Sequence, residues 1–234
     1  MSRNTSNQLV ILIPALNEER SIAKTINQIS SKYKRIIVID NGSTDQTAQI
    51  AKMNGAEVIT EKRRGYGYAC LAGIRYLKKI HHHPKFVCFL DADGADDPQK
   101  IESLLIEKNK SPYANMIMGS RFKYLQPGAM QAHAIIANRV LVFLIKLLYK
   151  VKLTDMGPLR IIDFEVLNAI KMQDTGYGWS SEMIVKCLKK GYKLKELDVP
   201  YRPRIGKSKI SGSLFTSLKA VIWLTIHIFR NALK

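Results

Sequence analysis

The sequence predicts an α/β fold with a mostly parallel sheet that is flanked by helices. Short apolar runs rich in β-branched residues alternate with longer segments whose apolar residues recur at helical spacing. This alternation favours parallel pairing, because each helix returns the chain to the same end of the sheet. Hydrophobic residues form 46% of the 234-residue chain, which supplies the core of one compact domain over residues 1–234.

The first half of the chain alternates regularly between predicted strands and predicted helices. Ligands bind such sheets beyond the carboxyl ends of the strands, so the residues that follow each strand are candidates for a site. The predicted strands are Leu9–Ile13, Arg35–Ile39, Glu57–Thr60 and Phe86–Leu90, and the predicted helices are Glu18–Ser31, Asp45–Met53 and Tyr68–Ile80.

The second half predicts one further strand and two amphipathic helices. Asn115–Gly119 has the composition of a strand, whereas Ala134–Lys150 and the C-terminal Leu214–Lys234 are apolar segments with basic residues at helical intervals. Such helices suit either a sheet face or an anionic membrane surface, and their charges favour a membrane-facing second half. The basic residues are Arg139, Lys146 and Lys150 in the first helix and Lys219, Arg230 and Lys234 in the second.

The composition restricts the partners of the chain. Its 37 Lys and Arg residues exceed its 19 Asp and Glu residues, which gives a formal net charge of +18. Nucleic acid, an anionic membrane and phosphorylated small molecules are the partners that such a charge attracts. The sequence has no basic arm with interleaved aromatic residues, so nucleic acid is the least favoured of the three.

The cysteines and the N-terminus predict a cytoplasmic protein. Cys70, Cys88 and Cys187 form no CxxC or CxxH pair, which argues against a zinc site or a disulfide framework and fits a reducing compartment. Met1–Gln8 contains no apolar signal sequence, and no run reaches the roughly 18 consecutive apolar residues of a spanning helix. We therefore expect peripheral association with the inner face of a membrane.

Two carboxylates, Asp91 and Asp93, follow the fourth predicted strand. They converge on one point if the chain turns at Gly94, and a divalent cation relieves their mutual repulsion. Mg²⁺ or Mn²⁺ suits such oxygen ligands and bridges to diphosphate oxygens. The alternative is that these are solvated loop charges. In that alternative Asp96 or Asp97 caps the helix that begins near Pro98, and the capping role is favoured for Asp97, which directly precedes Pro98.

The second and third predicted strands are also followed by polar residues and glycines. Asp40 is placed to hydrogen-bond a ribose or a base edge, while Ser43 or Thr44 suits the cap of the next helix. Gly65 and Gly67 allow the backbone to approach a ligand. The neighbouring side chains that offset phosphate charge are Lys62, Arg63 and Arg64. These strand ends together predict a site for a nucleotide and a metal ion.

Seven short motifs follow one another between residues 9 and 212. They are 13–19 (IPALNEE), 38–45 (VIDNGSTD), 65–67 (GYG), 91–94 (DADG), 119–122 (GSRF), 154–160 (TDMGPLR) and 204–209 (RIGKSK). In this order they resemble the glycosyltransferase family 2 proteins of GT-A fold, in particular the dolichyl- or polyprenyl-phosphate sugar synthase-like branch. The chain departs from the mannose synthases of that branch at Ala95 and Asp96, where they have Gln and His.

The resemblance implies a role for each motif, with nucleotide-sugar binding in residues 1–120 and acceptor binding in residues 121–234. The expected nucleotide-sugar contacts are Pro14, Asn17, Glu18, Asp40, Gly42, Lys62, Gly65 and Asp91. The expected metal ligands are Asp91, Asp93 and Asp96. The expected acceptor or phosphate contacts are Arg121, Arg160, Arg204, Ser208 and Lys209, and the expected catalytic residues are Asp93, Arg121 and Asp155.

The implied reaction is metal-dependent, inverting transfer of a hexose from a UDP- or GDP-linked donor to a polyprenyl or dolichyl phosphate. A lipid phosphate oxygen is already anionic and needs no general base. An alternative acceptor, a saccharide hydroxyl, would need one, with Asp155 as the first candidate and Glu182 as the second. A further alternative is a protein that binds nucleotide sugars without turnover.

Two other nucleotide-binding classes are disfavoured by the turn after the first strand. A dehydrogenase-type Rossmann protein has a GxGxxG turn there, and this chain has Pro14-Ala15-Leu16-Asn17-Glu18. A sugar nucleotidyltransferase is expected to have a glycine-rich, basic loop at the same place, and the sequence lacks one.

Overall fold

The computed structural model describes residues 8–176 and 178–206, which form a layered molecule around one sheet. The strands of these residues, in chain order, are β1 (Leu9–Ala15), β2 (Ile36–Asp40), β3 (Glu57–Thr60), β4 (Phe86–Phe89), β5 (Met116–Leu125), β6 (Arg160–Asp163) and β7 (Leu194–Tyr201). They lie in the order β3-β2-β1-β4-β6-β5-β7. Neighbouring strands are parallel except where β6 pairs with β4 and β5.

Helices connect the strands and cover the sheet. In the described residues they are α1 (Ile22–Asn27), α2 (Thr47–Met53), α3 (Tyr66–Lys79), α4 (Lys100–Lys110), α5 (Ala132–Tyr149), α6 (Phe164–Ala169) and α7 (Trp179–Lys189). Most of the helices and strands predicted in the first half are present within a few residues of their expected bounds. The exception is α1, which is much shorter than the predicted Glu18–Ser31.

Alternate residues of β1 pack into two separate cores, one on each face of the sheet. Leu12 contributes to a core that α3, α5 and α7 close. Ile11 and Ile13 contribute to a second core that α1 and α4 close. Successive side chains of a strand point to opposite faces, so a continuous apolar run such as β1 needs cover on both sides. The predicted α/β fold with a mostly parallel, helix-flanked sheet is confirmed.

Two strands of the sheet, β6 and β7, were not predicted from the sequence. β6 has only four residues and begins with a charged one, Arg160. β7 mixes polar and apolar residues and is mostly part-buried. Neither has the long apolar run of a central strand. β5 continues past the predicted end at Gly119 to Leu125, because its outer part pairs with β7 beyond an irregularity between Ser120 and Tyr124.

Helix α5 differs from the other helices of the described residues in its apolar exposure. Its buried face packs Leu141, Val142 and Ile145 into the core, while large apolar residues remain exposed on the opposite face. By length and composition alone, α5 is a candidate membrane span, so the expectation that no segment qualifies was wrong for this helix. The second predicted amphipathic helix, Leu214–Lys234, lies outside the described residues.

Packing between β1 and α3 makes a first test of the fold. Leu12 is fully buried and packs closely on α3, since a Cβ atom on Gly73 would lie 3.0 Å from Leu12 Cδ1. We expect Leu12→Ala to lower the free energy of unfolding by about 2–5 kcal/mol, because it leaves a cavity that the neighbours fill only in part. Met53, which is 78% exposed, provides the control. In urea denaturation, Met53→Ala should change stability by less than about 0.5 kcal/mol, and an equal effect of both substitutions would contradict the core assignment.

Candidate active site

A cavity of about 400 Å³ lies at the carboxyl ends of β1, β2 and β4. Its position is the one that parallel α/β sheets use for ligands, and its volume falls within the range of small-molecule sites. Residues from four strand ends and from the segment after β7 form its wall. They are Pro14, Ala15, Leu16, Glu18, Asn41, Arg64, Gly65, Tyr66, Ala69, Asp91, Ala92, Asp93 and Arg204.

Asp91 and Asp93 both reach this cavity, as the sequence predicts. The chain turns between them and α4 through Gly94, which has a φ of +74°. The Ala95 N–H donates to Asp93 Oδ1 at 2.9 Å, and Arg204 Nη2 lies 3.4 Å from Asp93 Oδ2. Burial of its carboxyl group and the neighbouring charge of Asp93 raise the pKa of Asp91 to about 6. A cation placed between the two carboxylates would relieve that repulsion.

The predicted three-carboxylate metal set does not assemble. Among residues 8–176 and 178–206, no three Asp, Glu, His or Cys side chains are grouped as metal ligands. Asp96 is 2% exposed, pairs through its backbone with Tyr201, and has no hydrogen-bond partner for either carboxylate oxygen. Burial and the charge of Asp91 raise its pKa well above the usual value. The assignment of Asp96 as the third ligand is therefore not borne out by this conformation.

The donor set nevertheless fits a hard divalent cation. Asp91 and Asp93 offer carboxylate oxygens beside an open cavity. Mg²⁺ and Mn²⁺ accept one or two protein carboxylates together with water and substrate phosphates. Two cavity-facing carboxylates are thus sufficient for the predicted cofactor.

Tyr66 is a cavity residue for which the sequence indicated no role. It begins α3, and its hydroxyl donates to Asp91 Oδ1 at 2.8 Å. This hydrogen bond fixes the orientation of the Asp91 carboxylate and lowers its pKa, against the two effects that raise it. Tyr66 lies within the 65–67 (GYG) motif, so an aromatic hydroxyl between two glycines after a predicted strand was the signal available in the sequence.

The end of β2 presents Asn41, not Asp40, to the cavity. Asp40 is 6% exposed, and its carboxylate accepts from the Ser43 N–H at 3.3 Å. A nucleotide contact of Asp40 stays a prediction.

Ser43 does not cap α2 as expected, because its Oγ accepts from the Asn17 N–H at 3.0 Å. The N-cap residue of α2 is Gln46, and Asp45 Oδ1 accepts from the N–H of Thr47, the first residue of the helix, at 3.0 Å.

The basic loop after β3 contributes Arg64 to the cavity wall, whereas Lys62 is exposed outside it. Arg63 is engaged elsewhere. It forms a forked ion pair with Glu61, at 2.9 and 2.8 Å, and stacks on the ring of Tyr68. Arg64 is therefore the cation of this loop that the structure brings to the site, and the predicted contact of Lys62 is not supported by the geometry.

Gly65 and Gly67 serve a close approach of two chain segments. A Cβ atom on Gly67 would lie 2.2 Å from the carbonyl oxygen of Asp174, and one on Gly65 would lie 2.3 Å from that of Thr175. The loop before α7 thus packs directly on the first turn of α3. Gly65 also lines the cavity, as predicted, while Gly42 does not.

Asp155 and Arg121 form a buried ion pair next to the site. Asp155 is fully buried and accepts from the Arg121 N–H, Nε and Nη2 at 2.9, 2.7 and 2.8 Å, and from the Met156 N–H at 2.7 Å. Although burial opposes it, the charge of Asp155 raises the pKa of Arg121. Each Asp155 oxygen already accepts two hydrogen bonds. The prediction of Asp155 as a general base is therefore wrong for this arrangement.

The side chains of Glu182 and Arg160 are also engaged in hydrogen bonds within the protein. Glu182 is 1% exposed, accepts from the N–H groups of Gln173 and Asp174, and pairs with Lys186. It is thus neither a free base nor a solvated helix charge. Arg160 is 1% exposed and donates to backbone carbonyls, including that of Ser180 at 3.2 Å. It joins the start of β6 to α7 and does not line the cavity.

Of the other residues predicted to contact ligands, some lie in the cavity wall and others do not. Pro14, Glu18 and Arg204 lie in the cavity wall, and Arg204 Nη2 lies 3.4 Å from Glu18 Oε1. Asn17 lies outside the wall, and its Oδ1 accepts from the Thr44 N–H at 2.8 Å. Ser208 and Lys209 lie outside the described residues. The site therefore brings together Pro14, Glu18, Gly65, Asp91, Asp93 and Arg204 of the predicted set.

Removal of one partner from the buried Arg121–Asp155 ion pair should lower the stability of the protein measurably. Asp155→Asn removes the charge partner of Arg121, which is 9% exposed, so we expect a loss of about 3–5 kcal/mol in the free energy of unfolding. Asp198→Asn is the matched control, because Asp198 pairs with Lys123 on the surface. Its effect should stay below about 1 kcal/mol. Chemical denaturation compares the two, and a stable Asp155→Asn protein would show that the pair is dispensable.

Comparison with solved structures identifies the fold. The chain superposes on glucosyl-3-phosphoglycerate synthase from Mycobacterium tuberculosis in complex with phosphoglyceric acid, with a TM-score of 0.78 and 18% identity, covering 98% of this chain and 81% of that one. A structure of the same enzyme with Mn²⁺, uridine diphosphate and phosphoglyceric acid gives a TM-score of 0.76, 17% identity, and coverage of 98% and 80%. The fold is therefore that of GT-A glycosyltransferases.

Sequence relatives and a family model agree with the fold. An uncharacterized glycosyltransferase of Mycobacterium tuberculosis H37Rv is 33% identical over 219 residues, covering 92% of this chain and 94% of that protein. The low-salt glycan biosynthesis hexosyltransferase Agl6 of Haloferax volcanii is 30% identical, covering 87% of this chain and 50% of that protein. The model of glycosyl transferase family 2 matches residues 10–171. The chain belongs to glycosyl transferase family 2.

Proposed function

We propose that this family 2 glycosyltransferase moves a hexose, with inversion and with a divalent metal ion, from a UDP- or GDP-linked donor to a polyprenyl or dolichyl phosphate. The donor half of the proposal rests on the cavity at the strand ends. The acceptor half rests on one observation, that both carboxylates expected as general bases are already consumed by protein contacts.

The cavity supplies the groups that departure of a nucleoside diphosphate needs. Asp91 and Asp93 would hold Mg²⁺ or Mn²⁺, which offsets the charge that develops on the diphosphate. Arg64 and Arg204 bring two further positive charges to the wall. Tyr66 keeps the Asp91 carboxylate in place through its hydroxyl. Such preorganised charges stabilise a leaving group without reorganisation during the reaction. The Mn²⁺ and uridine diphosphate held by the synthase of the same fold support this use of the cavity.

The acceptor follows from the state of the two candidate bases. Asp155 has both oxygens occupied by Arg121 and Met156, and Glu182 holds the backbone of the loop before α7 and pairs with Lys186. Neither is free to take a proton from a sugar hydroxyl. A phosphate oxygen carries its negative charge before it attacks, so it needs no such group. A phosphate-bearing acceptor therefore suits this site better than a saccharide hydroxyl.

A membrane-held acceptor is supported by the exposed face of α5. Ile136, Phe143 and Leu147 are 62%, 63% and 66% exposed, and with Val140 they form one stripe at intervals of four, three and four residues. Large apolar stripes of this kind mark binding surfaces. The basic residues Arg139 and Lys146 on the same helix and Lys150 directly after it are exposed as well. An apolar stripe with flanking cations fits the interface of an anionic membrane, and it supports the proposal of peripheral association with the inner face of a membrane.

Donor and acceptor are tested together by measuring released nucleoside diphosphate. We expect turnover with a UDP- or GDP-hexose only when Mg²⁺ or Mn²⁺ and a short polyprenyl phosphate are both present. Chelation should abolish turnover. Turnover with saccharide acceptors and none with polyprenyl phosphate would overturn the acceptor assignment, and release of pyrophosphate would indicate nucleotidyl transfer.

The metal role of the two aspartates is tested by charge removal. Asp93→Asn should reduce turnover at least about 100-fold, because it removes a ligand and weakens stabilisation of the leaving diphosphate. Asp198→Asn, on the surface beside Lys123, should retain turnover. A Mn²⁺-dependent rise in melting temperature should appear in the wild type and be lost in Asp93→Asn. Full turnover of Asp93→Asn would remove this residue from the metal site.

The membrane surface is tested by sedimentation with vesicles that contain anionic lipid. Phe143→Glu combined with Leu147→Glu should reduce the bound fraction at least about tenfold, because each apolar side chain gains about 1.5–3 kcal/mol by leaving water. Met53→Glu is the control, since Met53 is 78% exposed and lies on α2. Binding should also weaken as salt is raised. Absence of wild-type binding at low and at physiological salt would refute the proposal.

A further inference from the structure

Asn41 makes three hydrogen bonds to one loop that lines the cavity. Its Nδ2 donates to the carbonyl oxygens of Glu61 and Arg63 at 3.0 and 2.7 Å. Its Oδ1 accepts from the N–H of Gly65 at 2.8 Å. The side chain is 3% exposed, and its own N–H donates to the carbonyl oxygen of Ala15 at the end of β1. Asn41 thus links the centre of the sheet to residues 61–65, which we call the rim loop.

The contacts of Asn41 hold the rim loop on both sides of Arg64. Asn41 bonds the carbonyl oxygen of Arg63, directly before Arg64, and the N–H of Gly65, directly after it. Arg64 is the cation of this loop in the cavity wall. Directly after Gly65 comes Tyr66, whose hydroxyl donates to Asp91. One buried amide therefore sets the position of a wall cation and of the residue that orients a predicted metal ligand.

The chemistry of the three contacts specifies an asparagine. Two backbone carbonyls need N–H donors and one backbone N–H needs an acceptor, and a carboxamide supplies all of these from a single planar group. A carboxylate of the same shape keeps the acceptor but places negative charge against two carbonyl oxygens. An alanine leaves three buried or part-buried backbone groups without the partner that Asn41 provides, which is costly.

We propose that Asn41 is the positioning residue of the donor site, holding the rim loop in the geometry that binds the nucleoside diphosphate. This inference deepens the proposed function and rests on it. Asn41 acts through Arg64 and Tyr66, because its own polar atoms are all engaged by the loop. The outer side of the rim loop is held separately by the ion pairs of Glu61 with Arg63 and Arg75. Loss of the Asn41 contacts therefore loosens the loop without removing all its anchors.

The experiment compares Asn41→Asp with Asn54→Asp. Asn54 also has both ends of its amide engaged, since it accepts from Asn27 and donates to Ile50 at 2.8 Å each, but it lies at the far end of α2. Binding of UDP and of GDP is measured with Mn²⁺ by calorimetry, and the KM for donor and the kcat are measured with the best donor. A second readout is limited trypsin digestion, which cleaves after Lys62, Arg63 or Arg64 in the rim loop.

For Asn41→Asp we expect the Kd of the nucleoside diphosphate and the donor KM to rise at least about tenfold, with a change in kcat below about threefold. Cleavage within residues 62–64 should be at least about tenfold faster than in the wild type. Asn54→Asp should match the wild type in all of these. Unchanged Kd and unchanged cleavage in Asn41→Asp would overturn the inference. If Asn41→Asp fails to fold, the milder Asn41→Ser is measured in the same way and decides the question.

Failure of the proposed function has a different signature. A wild-type protein that binds neither UDP nor GDP with Mn²⁺ and shows no turnover would refute the donor site itself. The digestion result would still report whether Asn41 holds the rim loop. A wild type that binds, together with an Asn41→Asp variant that binds equally well, would refute only the positioning role.

Discussion

The repulsion between Asp91 and Asp93 is the constraint on which the rest of the site depends. Two carboxylates two residues apart face one cavity, and burial together with the neighbouring charge of Asp93 raises the pKa of Asp91 to about 6. Their neighbours are arranged to hold them there. Tyr66 donates to one, the Ala95 N–H donates to the other, and Arg204 lies near the second. A site built in this way is stabilised when a cation arrives with its phosphates.

The two halves of the chain build the site jointly. β6 comes from the second half, yet it pairs with β4, whose end carries the aspartates. The loop before α7 packs on Gly67 so closely that no side chain fits between them, and Glu182 holds that loop by its backbone. Arg204 returns from the end of β7 to Asp93 and Glu18. The contacts around the cavity therefore cross the predicted boundary between residues 1–120 and 121–234. The separation into a donor half and an acceptor half stays a prediction.

The buried acidic residues of the second half show that residue type alone does not identify a general base. Asp155 lies within the 154–160 motif and Glu182 lies on α7, and the sequence predicts them as the first and second candidates for a base. In the structure both are nearly inaccessible and accept several hydrogen bonds, Asp155 from Arg121 and Met156 and Glu182 from the loop before α7. A carboxylate so engaged positions its partners. The same contacts are the reason for proposing an acceptor that arrives already charged.

The sequence by itself determined the strand and helix order of the first half, the strand ends that form the site, and the Asp91 and Asp93 pair. These features depend on apolar periodicity and on residues close in the chain, which local patterns report. Tertiary structure decided which residues line the cavity: Asn41 does and Asp40 does not, and Arg64 does and Lys62 does not. It also decided that both carboxylate oxygens of Asp155 are engaged in hydrogen bonds. Each of these depends on a partner 22 to 34 residues away, and no local pattern specifies which side chain such a partner will meet.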